Sequence, residues 1–303
     1  MQRKIDGKGT VGDACRVRIE KHVEIVSPDV SAVDTLSEAA ELAKASIKQA
    51  MTKGAVWIGR GSYTQRLRRA GKRLEPGDSL HLYFDETILG QQPADAILIK
   101  DEGSYSIWYK PYGMLCQGSK WGDHCTINRW VEQHLEPQRP AFITHRLDRA
   151  ATGLIIIAHR KTVAAYFAEQ FRQRAVEKRY RAIVHGRFPD SKTIDTPIGQ
   201  KTARSHAKLI SYDTAREESL LEVEIETGRK HQIRRHLAEA GFPIVGDRLY
   251  GGSADQAGRD LCLTSWHLSF NSPEDGTRKT YTLPRTLGAT SDELRTSNGG
   301  SVG

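Results

Sequence analysis

Cysteine is scarce in this chain, and long apolar runs are missing altogether. Its 303 residues include four cysteines, Cys15, Cys116, Cys125 and Cys262, with no Cys-x-x-Cys spacing. That excludes a zinc ribbon or a disulfide framework and fits a reducing compartment. Cys116, His124 and Cys125 lack a fourth donor at metal-site spacing and read as loop residues. The first twenty residues lack the apolar core of a signal peptide, and no stretch approaches membrane-spanning length. A soluble, cytoplasmic protein without membrane contact is expected. A Gly-rich phosphate loop, a dinucleotide fingerprint, a Gly-x-Ser-x-Gly nucleophile elbow and a solenoid-length repeat are also missing. No cofactor and no metal are therefore expected. What the chain does carry is positive charge: 45 Lys and Arg against 37 Asp and Glu, a net charge of +8 and a pI near 9.3. That balance favours a polyanionic partner.

One segment concentrates chemistry. Thr144-His145-Arg146-Leu147-Asp148-Arg149-Ala150-Ala151-Thr152-Gly153-Leu154 sets a single carboxylate among basic side chains, between Pro140-Ala141-Phe142-Ile143 and the β-branched run Leu154-Ile155-Ile156-Ile157. The second run reads as a buried strand, so the polar segment is held at a strand end, where sheets usually carry function. Cations on both sides favour the charged form of a carboxylate. Asp148 is the candidate catalytic residue.

His145-Arg146-Leu147-Asp148 followed by Thr152-Gly153-Leu154 resembles the catalytic motif of the RluA-type RNA pseudouridine synthases. Further matches follow in that family's order. They are Lys110-Pro111-Tyr112-Gly113, then Lys178-Arg179-Tyr180-Arg181-Ala182-Ile183-Val184-His185-Gly186, then Gly228-Arg229-Lys230-His231-Gln232-Ile233-Arg234-Arg235-His236, continuing to Gly246-Asp247 and Tyr250-Gly251. The resemblance covers roughly residues 100–285. The chain departs from the family's pattern at Ala150-Ala151, at Lys230 where Thr is usual, and at Ser272-Pro273 in place of His-Pro. These departures touch substrate identity more than the reaction.

The resemblance implies an α+β catalytic fold with a mixed, largely antiparallel sheet and flanking helices. It implies that Asp148 is essential, that Tyr180 packs on a flipped base with Ile233 as an apolar wall, that Arg234 pairs with Asp148, and that Arg146 enters the space the base vacates. The implied reaction isomerises a uridine in RNA. The C1′–N1 bond breaks, the held uracil turns, and C5 bonds to C1′. A carboxylate there can attack C1′ or remove the C2′ proton. The target base must leave its stack, which calls for a basic surface, a filler and an aromatic platform.

Four segments are expected: a loose arm over 1–20, a small RNA-binding domain over 21–92, a catalytic domain over 93–287, and a disordered tail over 288–303. In the second segment a helix is expected over 35–43 and another capped by Ser46 and ended by Gly54, followed by strands at 55–58 and 80–84. This order is similar to the small RNA-binding fold named after a small-subunit ribosomal protein. Arg60, Arg66, Arg68, Arg69, Lys72 and Arg73 fall within fourteen residues that contain no acid, beside Tyr63. They read as a phosphate-tracking surface. In the catalytic segment, strands are expected near 105–109, 141–145, 153–159, 178–185 and 220–225, with helices over 162–175 and 231–240. Arg229, Lys230, Arg234 and Arg235 crowd the start of the last helix against its macrodipole, which points to an anion held there. Arg229 and Lys230 are candidate RNA contacts.

The expected partner is ribosomal RNA or transfer RNA, with no obligate protein partner and a monomeric state. Two other readings stay open on residues alone: a non-catalytic RNA-binding or ribosome-assembly protein, and a hydrolase using His145 with Asp148, or a cysteine with a histidine.

Overall fold

The computed structural model describes residues 17–252, 258–284 and 287. The expected tail over 288–303 and residues 1–16 of the expected arm lie outside them. The chain forms two compact units. One holds the chain up to Gln92 together with Gly118–Cys125, and the other holds Pro93–Gln117 and the chain from Thr126 onward.

The smaller unit runs β1 (Arg18–Glu24), α1 (Ala32–Ala40), α2 (Lys44–Thr52), β2 (Val56–Arg60), β3 (Tyr63–Arg66), β4 (Ser79–Asp85) and α3 (Glu86–Leu89). Its four strands form an antiparallel sheet in the order β1-β4-β2-β3. Alternation makes β4 a half-buried strand: Leu80, Leu82 and Phe84 enter a core shared with Leu36, Ile47 and Met51. α1 starts earlier than expected because Ser31, not a later residue, caps it, its hydroxyl accepting from Asp34 N at 3.3 Å. Ser46 lies inside α2 and caps nothing. Residues 18–20 are not a loose arm, since they open β1. That strand is an edge strand of mostly exposed, charged residues whose two apolar positions, Ile19 and Val23, are only half-buried. A polar edge carries almost no apolar alternation, and so left no sign in the sequence.

Gly118–Cys125 departs from the chain of the larger unit and belongs structurally to the smaller one. Asp123 forms ion pairs with Arg66, at 3.0 Å, and with Arg68. Arg66 also donates to Ser119 O at 2.9 Å, the Trp57 indole donates to Lys120 O at 3.0 Å, and Lys120 pairs with Glu20 at 2.8 Å. The Arg18 guanidinium lies 4.1 Å from the centre of the Trp121 ring. Burial pushes the Arg66 guanidinium down, and the Asp123 charge opposes that. Replacing Asp123 by Ala leaves a half-buried cation without that counter-charge. The variant is expected to lose about 1–3 kcal/mol, seen as a lower urea midpoint when unfolding is followed by tryptophan fluorescence. An unchanged midpoint would show that these pairs are only surface decoration.

The larger unit contains β5 (Ile97–Asp101), β6 (Tyr105–Lys110), α4 (Ile127–His134), β7 (Phe142–Ile143), β8 (Thr152–Ala158), α5 (Lys161–Arg172), β9 (Glu177–His185), β10 (Ser191–Ile194), β11 (Ser205–Asp213), β12 (Glu218–Ile225), α6 (Gln232–Glu239), β13 (Leu263–Asn271) and β14 (Arg278–Thr282). Eight strands follow the order β10-β11-β12-β9-β13-β8-β6-β5, with β14 beside β13 and β7 beside β8. It is the mixed, largely antiparallel α+β sheet expected. The strand near 141–145 is reduced to the two residues of β7, and the helix over 162–175 ends at Arg172, because Arg174 turns to φ +59°.

All seven residues of β8 are buried, because both faces of the sheet are covered. Leu154 and Ile156 pack with Phe167 of α5 and Phe270 of β13. Ile155 and Ile157 join the other core, with Val131 of α4 and Leu237 of α6. Among the named strands, the parallel pairing of β8 with β13 joins Thr152 to Thr264 and Gly153 to Ser265. Gly153 has φ +113°, and a Cβ there would lie 2.2 Å from the Ser265 carbonyl oxygen. Gly153→Ala must therefore push apart two central strands directly behind the Asp148 loop. It is expected to cost about 3 kcal/mol, measured by urea unfolding; wild-type stability would show that the two strands can part freely.

Candidate active site

The loop between β7 and β8 is pinned on both sides of Asp148. At its start the Thr144 hydroxyl donates to Ile156 O at 2.8 Å, and the His145 ring accepts from Ile156 N at 3.1 Å. Leu147 is buried, and its backbone exchanges hydrogen bonds with the Cys116 thiol at 3.3 and 3.4 Å. Beyond Asp148, the fully buried Lys110 donates to Pro111 O at 3.0 Å, Met114 O at 2.9 Å and Arg149 O at 3.3 Å. Burial pushes the Lys110 amine down to about 8, partly offset by Cys116 and Asp148. Asp148 is thus displayed on a rigid support with its side chain 24 % exposed.

The facing wall is the start of α6. Gln232 accepts from the Thr227 hydroxyl at 2.7 Å and from Arg229 N at 3.1 Å, and donates to Arg204 O and to Ser205 Oγ. This locks the turn into the helix. His231, at φ +55°, holds a left-handed conformation that costs about 1–2 kcal/mol. Its Nδ1 lies 3.0 Å from the Tyr250 hydroxyl and its Nε2 lies 3.8 Å from Asp148 Oδ1. Ile233 and Leu237 are buried one helical turn apart, which seats the helix and aims Arg234 inward.

Arg234 joins two carboxylates. Its Nε and Nη2 donate to Asp247 at 2.8 and 2.6 Å, and its Nη1 lies 3.5 Å from Asp148 Oδ2. Asp247 is 1 % exposed and also accepts from Leu249 N and Tyr250 N. Burial is the largest single influence on its carboxyl and would raise it, but the Arg234 hydrogen bonds and charge together with the Leu249 and Tyr250 amides hold it below the ordinary value. Burial would likewise depress the Arg234 guanidinium, and Asp247 raises it. The anion inferred at the start of α6 is therefore supplied by the chain itself.

Tyr180 is buried on β9, its phenol pushed up by burial and then by the Asp148 charge. A cavity of about 80 Å³ is lined by Arg146, Asp148, Tyr180, His231, Ile233 and Arg234. All five of the catalytic and supporting residues singled out in the sequence meet there. Arg146 is exposed and forms no ion pair with any described residue. Asp247, His231, Lys110 and Tyr250 had been given no role, although each stood inside a matched motif.

Other expectations need correction. Burial pushes the His145 imidazole down to about 3, and its Nε2 already accepts from Ile156. It cannot serve as the base of a hydrolase. The Cys116 thiol, pushed up by burial, is engaged with Leu147. In the smaller unit Arg60 is held by Asp78 at 2.7 Å and by Glu75, and Arg66 and Arg68 are held by Asp123. The run contains no acid, but acids from outside it neutralise these three. Arg69 and Lys72 are exposed without an ion pair among the described residues, and Arg73 lies 3.7 Å from the equally exposed Asp29. Lys230 is exposed, and Arg229 donates to Thr202 O at 3.1 Å.

A carboxylate beside an aromatic ring and an apolar wall, with arginines at the rim, suits a flat base carried on a polyanion, and so describes a nucleotide-handling enzyme. Residues 104–239 match the family described as RNA pseudouridylate synthase. An uncharacterized RNA pseudouridine synthase of Chloroflexus aurantiacus is 31% identical over 301 residues, 90% of this chain and 93% of that protein. The ribosomal large subunit pseudouridine synthase D of Nitrosomonas europaea is 32% identical over 231 residues, 66% of each. The solved structure of human RNA pseudouridylate synthase domain containing 1 shares the fold, with a TM-score of 0.57 at 19% identity over 67% of this chain and 90% of that one. The chain belongs to the RNA pseudouridine synthase family and is an RNA isomerase. The reading as a non-catalytic RNA-binding protein is set aside by that membership. Among the described residues no helix is long and apolar enough to cross a membrane.

Asp247→Asn tests the frame of this site. Removing one partner of a buried pair typically costs about 3–5 kcal/mol. The sign with pH follows from the lowered Asp247 carboxyl. Its stabilisation is complete above the ordinary value of 3.8 and is lost as pH falls through the lower folded value. Chemical unfolding of the Asn variant should therefore show a smaller loss of stability between about pH 4 and pH 2 than the wild type. Parallel acid limbs would exclude this coupling.

Proposed function

We propose that the chain converts a uridine of ribosomal RNA to pseudouridine with Asp148 as the catalytic carboxylate. The carrying observation is the small cavity in which Asp148 faces Tyr180 and Ile233 while Arg234 tethers it at 3.5 Å. Ribosomal RNA is the proposed substrate because of the names of the relatives, among them the ribosomal large subunit pseudouridine synthase C of Buchnera aphidicola. Transfer RNA is the second choice.

The uracil is flipped from its stack, rests on the Tyr180 ring and is walled by Ile233, while the unpaired Arg146 takes the vacated place. Asp148 acts at C1′ as nucleophile or at C2′ as base. Either route needs a carboxylate with lone pairs to spare, and its long contacts to Arg234 and His231 leave them. Arg69, Lys72 and Arg73 remain as phosphate contacts of the smaller unit, and the protein works as a cytoplasmic monomer.

Asp148→Asn should fold and bind RNA yet form no pseudouridine. A pseudouridine map of total RNA from cells with wild-type, Asn-variant or no protein identifies the target, and conversion by the variant above a few per cent of the normal rate would sink the assignment. Tyr180→Phe separates stacking from proton transfer. Loss of the hydroxyl keeps the ring, so base positioning predicts substantial residual turnover of the mapped RNA, and collapse of kcat would assign the phenol to proton transfer.

A further inference from the structure

A second and larger cleft of the same unit, about 680 Å³, shares Arg146, Tyr180, Ile225, Gly228 and Arg229 with the Asp148 cavity. It reaches the end of α5, where Phe171, Arg172 and Arg174 line it, and it includes Lys178 of β9. Five cationic side chains face one carboxylate, Glu226, among the lining residues. That carboxylate is paired with His206 at 2.8 Å and Arg204 at 3.8 Å, and the Arg174 charge acts on it more weakly. Arg172 pairs with Glu169 one turn back on its own helix.

Lys178 is the informative member. Its ammonium lies 5.5 Å from the centre of the Phe171 ring and forms no hydrogen bond or ion pair with a described residue. Burial is the sole cause that pushes its amine down, to about 8. A half-buried cation with no counter-ion among the described residues gives up part of its hydration at some cost, and such groups are normally paired. The partner that would offset this cost is an anion from outside the chain.

We propose that this cleft is a phosphate subsite for the RNA next to the target uridine, with Lys178 as its anchor, Arg174 and Arg229 at its edge and Phe171 as an apolar platform. It rests on the reading of the Asp148 cavity as the uridine site, since the shared lining puts a neighbouring nucleotide within one linkage. Lys178 is distinguished from the rim arginines by depth. An exposed cation tracks any phosphate, whereas a recessed one selects the linkage that can enter.

The test uses fluorescein-labelled pentauridylate and the full chain in an Asp148→Asn background, with binding read by anisotropy between 50 and 200 mM KCl, about the range over which counterion release is measured. Lys178→Gln is expected to weaken binding several-fold and to lower the slope of log affinity against log salt by about 0.7, while Lys178→Arg retains most of both. Lys178 has no counter-ion to lose among the described residues, so its removal should leave the melting temperature little changed, and a binding loss is then not misfolding. Single methylphosphonate linkages walked along the oligonucleotide should weaken binding most at one position, and Lys178→Gln should erase that difference. Lys178→Met, which keeps the length of the side chain without its charge, gives the same comparison if the Gln variant fails to fold. Unchanged affinity and slope, or an equal effect of methylphosphonate at every linkage, overturns the subsite. The Asp148 assignment fails separately, through pseudouridine formation by Asp148→Asn on the mapped RNA.

Discussion

The site depends on one guanidinium shared unequally between two carboxylates. Arg234 gives its two short hydrogen bonds, 2.8 and 2.6 Å, to Asp247 and only a 3.5 Å approach to Asp148. A bidentate pair fixes the plane of the guanidinium, so the third nitrogen is aimed without being consumed. Reversing the allocation would hold Asp148 in the tight ion pair and leave Asp247 with the long contact. Burial makes the pairing with Asp247 obligatory, because neither charge could stay in that environment alone. The Asp148 loop answers with pins of its own, Cys116 on Leu147 and Lys110 on Arg149. The positions of both walls are thus set by buried polar contacts that never touch a substrate.

Those walls meet because of the sheet. Asp148 precedes β8, and Arg234 follows β12, with β9 and β13 between those strands. The close parallel approach of β8 to β13 at Gly153 fixes the base of the Asp148 loop, and a residue with a Cβ would widen it. Tyr180 sits on β9 opposite Ser265 of β13, so the aromatic platform is registered against the same strand. A sheet spacing is set by hydrogen bonds, and it transmits that precision to side chains that lie far apart in sequence.

How much of this was legible depended on where the determining contacts lie. Asp148, Tyr180, Ile233 and Arg234 stood in ordered motifs and the structure brings them to one cavity, while the buried run at β8 announced its own strand. Asp247 stood in plain sight after Gly246, yet its function is to satisfy Arg234 thirteen residues earlier, and no local pattern encodes that pairing. Part of the basic run is held by distant acids for the same reason. Arg68 and Asp123 are 55 residues apart, so a window without acids gave no warning that an acid would fold onto it. β1 was missed because a strand at a solvated edge needs no apolar alternation to form, only a neighbour whose backbone groups are free.

The placement of Gly118–Cys125 also bears on dividing the chain into a binding part and a chemical part. By sequence, a cut at residues 92 and 93 separates them. By structure it does not, because Asp123, Lys120 and Trp121 complete the smaller unit with their pairs and stacking. A chain shortened at residue 93 would keep those side chains and lose their partners, leaving Trp121 and Asp123 on an unsupported loop between β6 and α4. That loop leaves β6 only a few residues after Lys110, whose ammonium supports Arg149 beside Asp148. Disturbance of the loop thus has a short covalent route to the support of Asp148, and loss of turnover in such a truncation would report on that route as well as on RNA affinity.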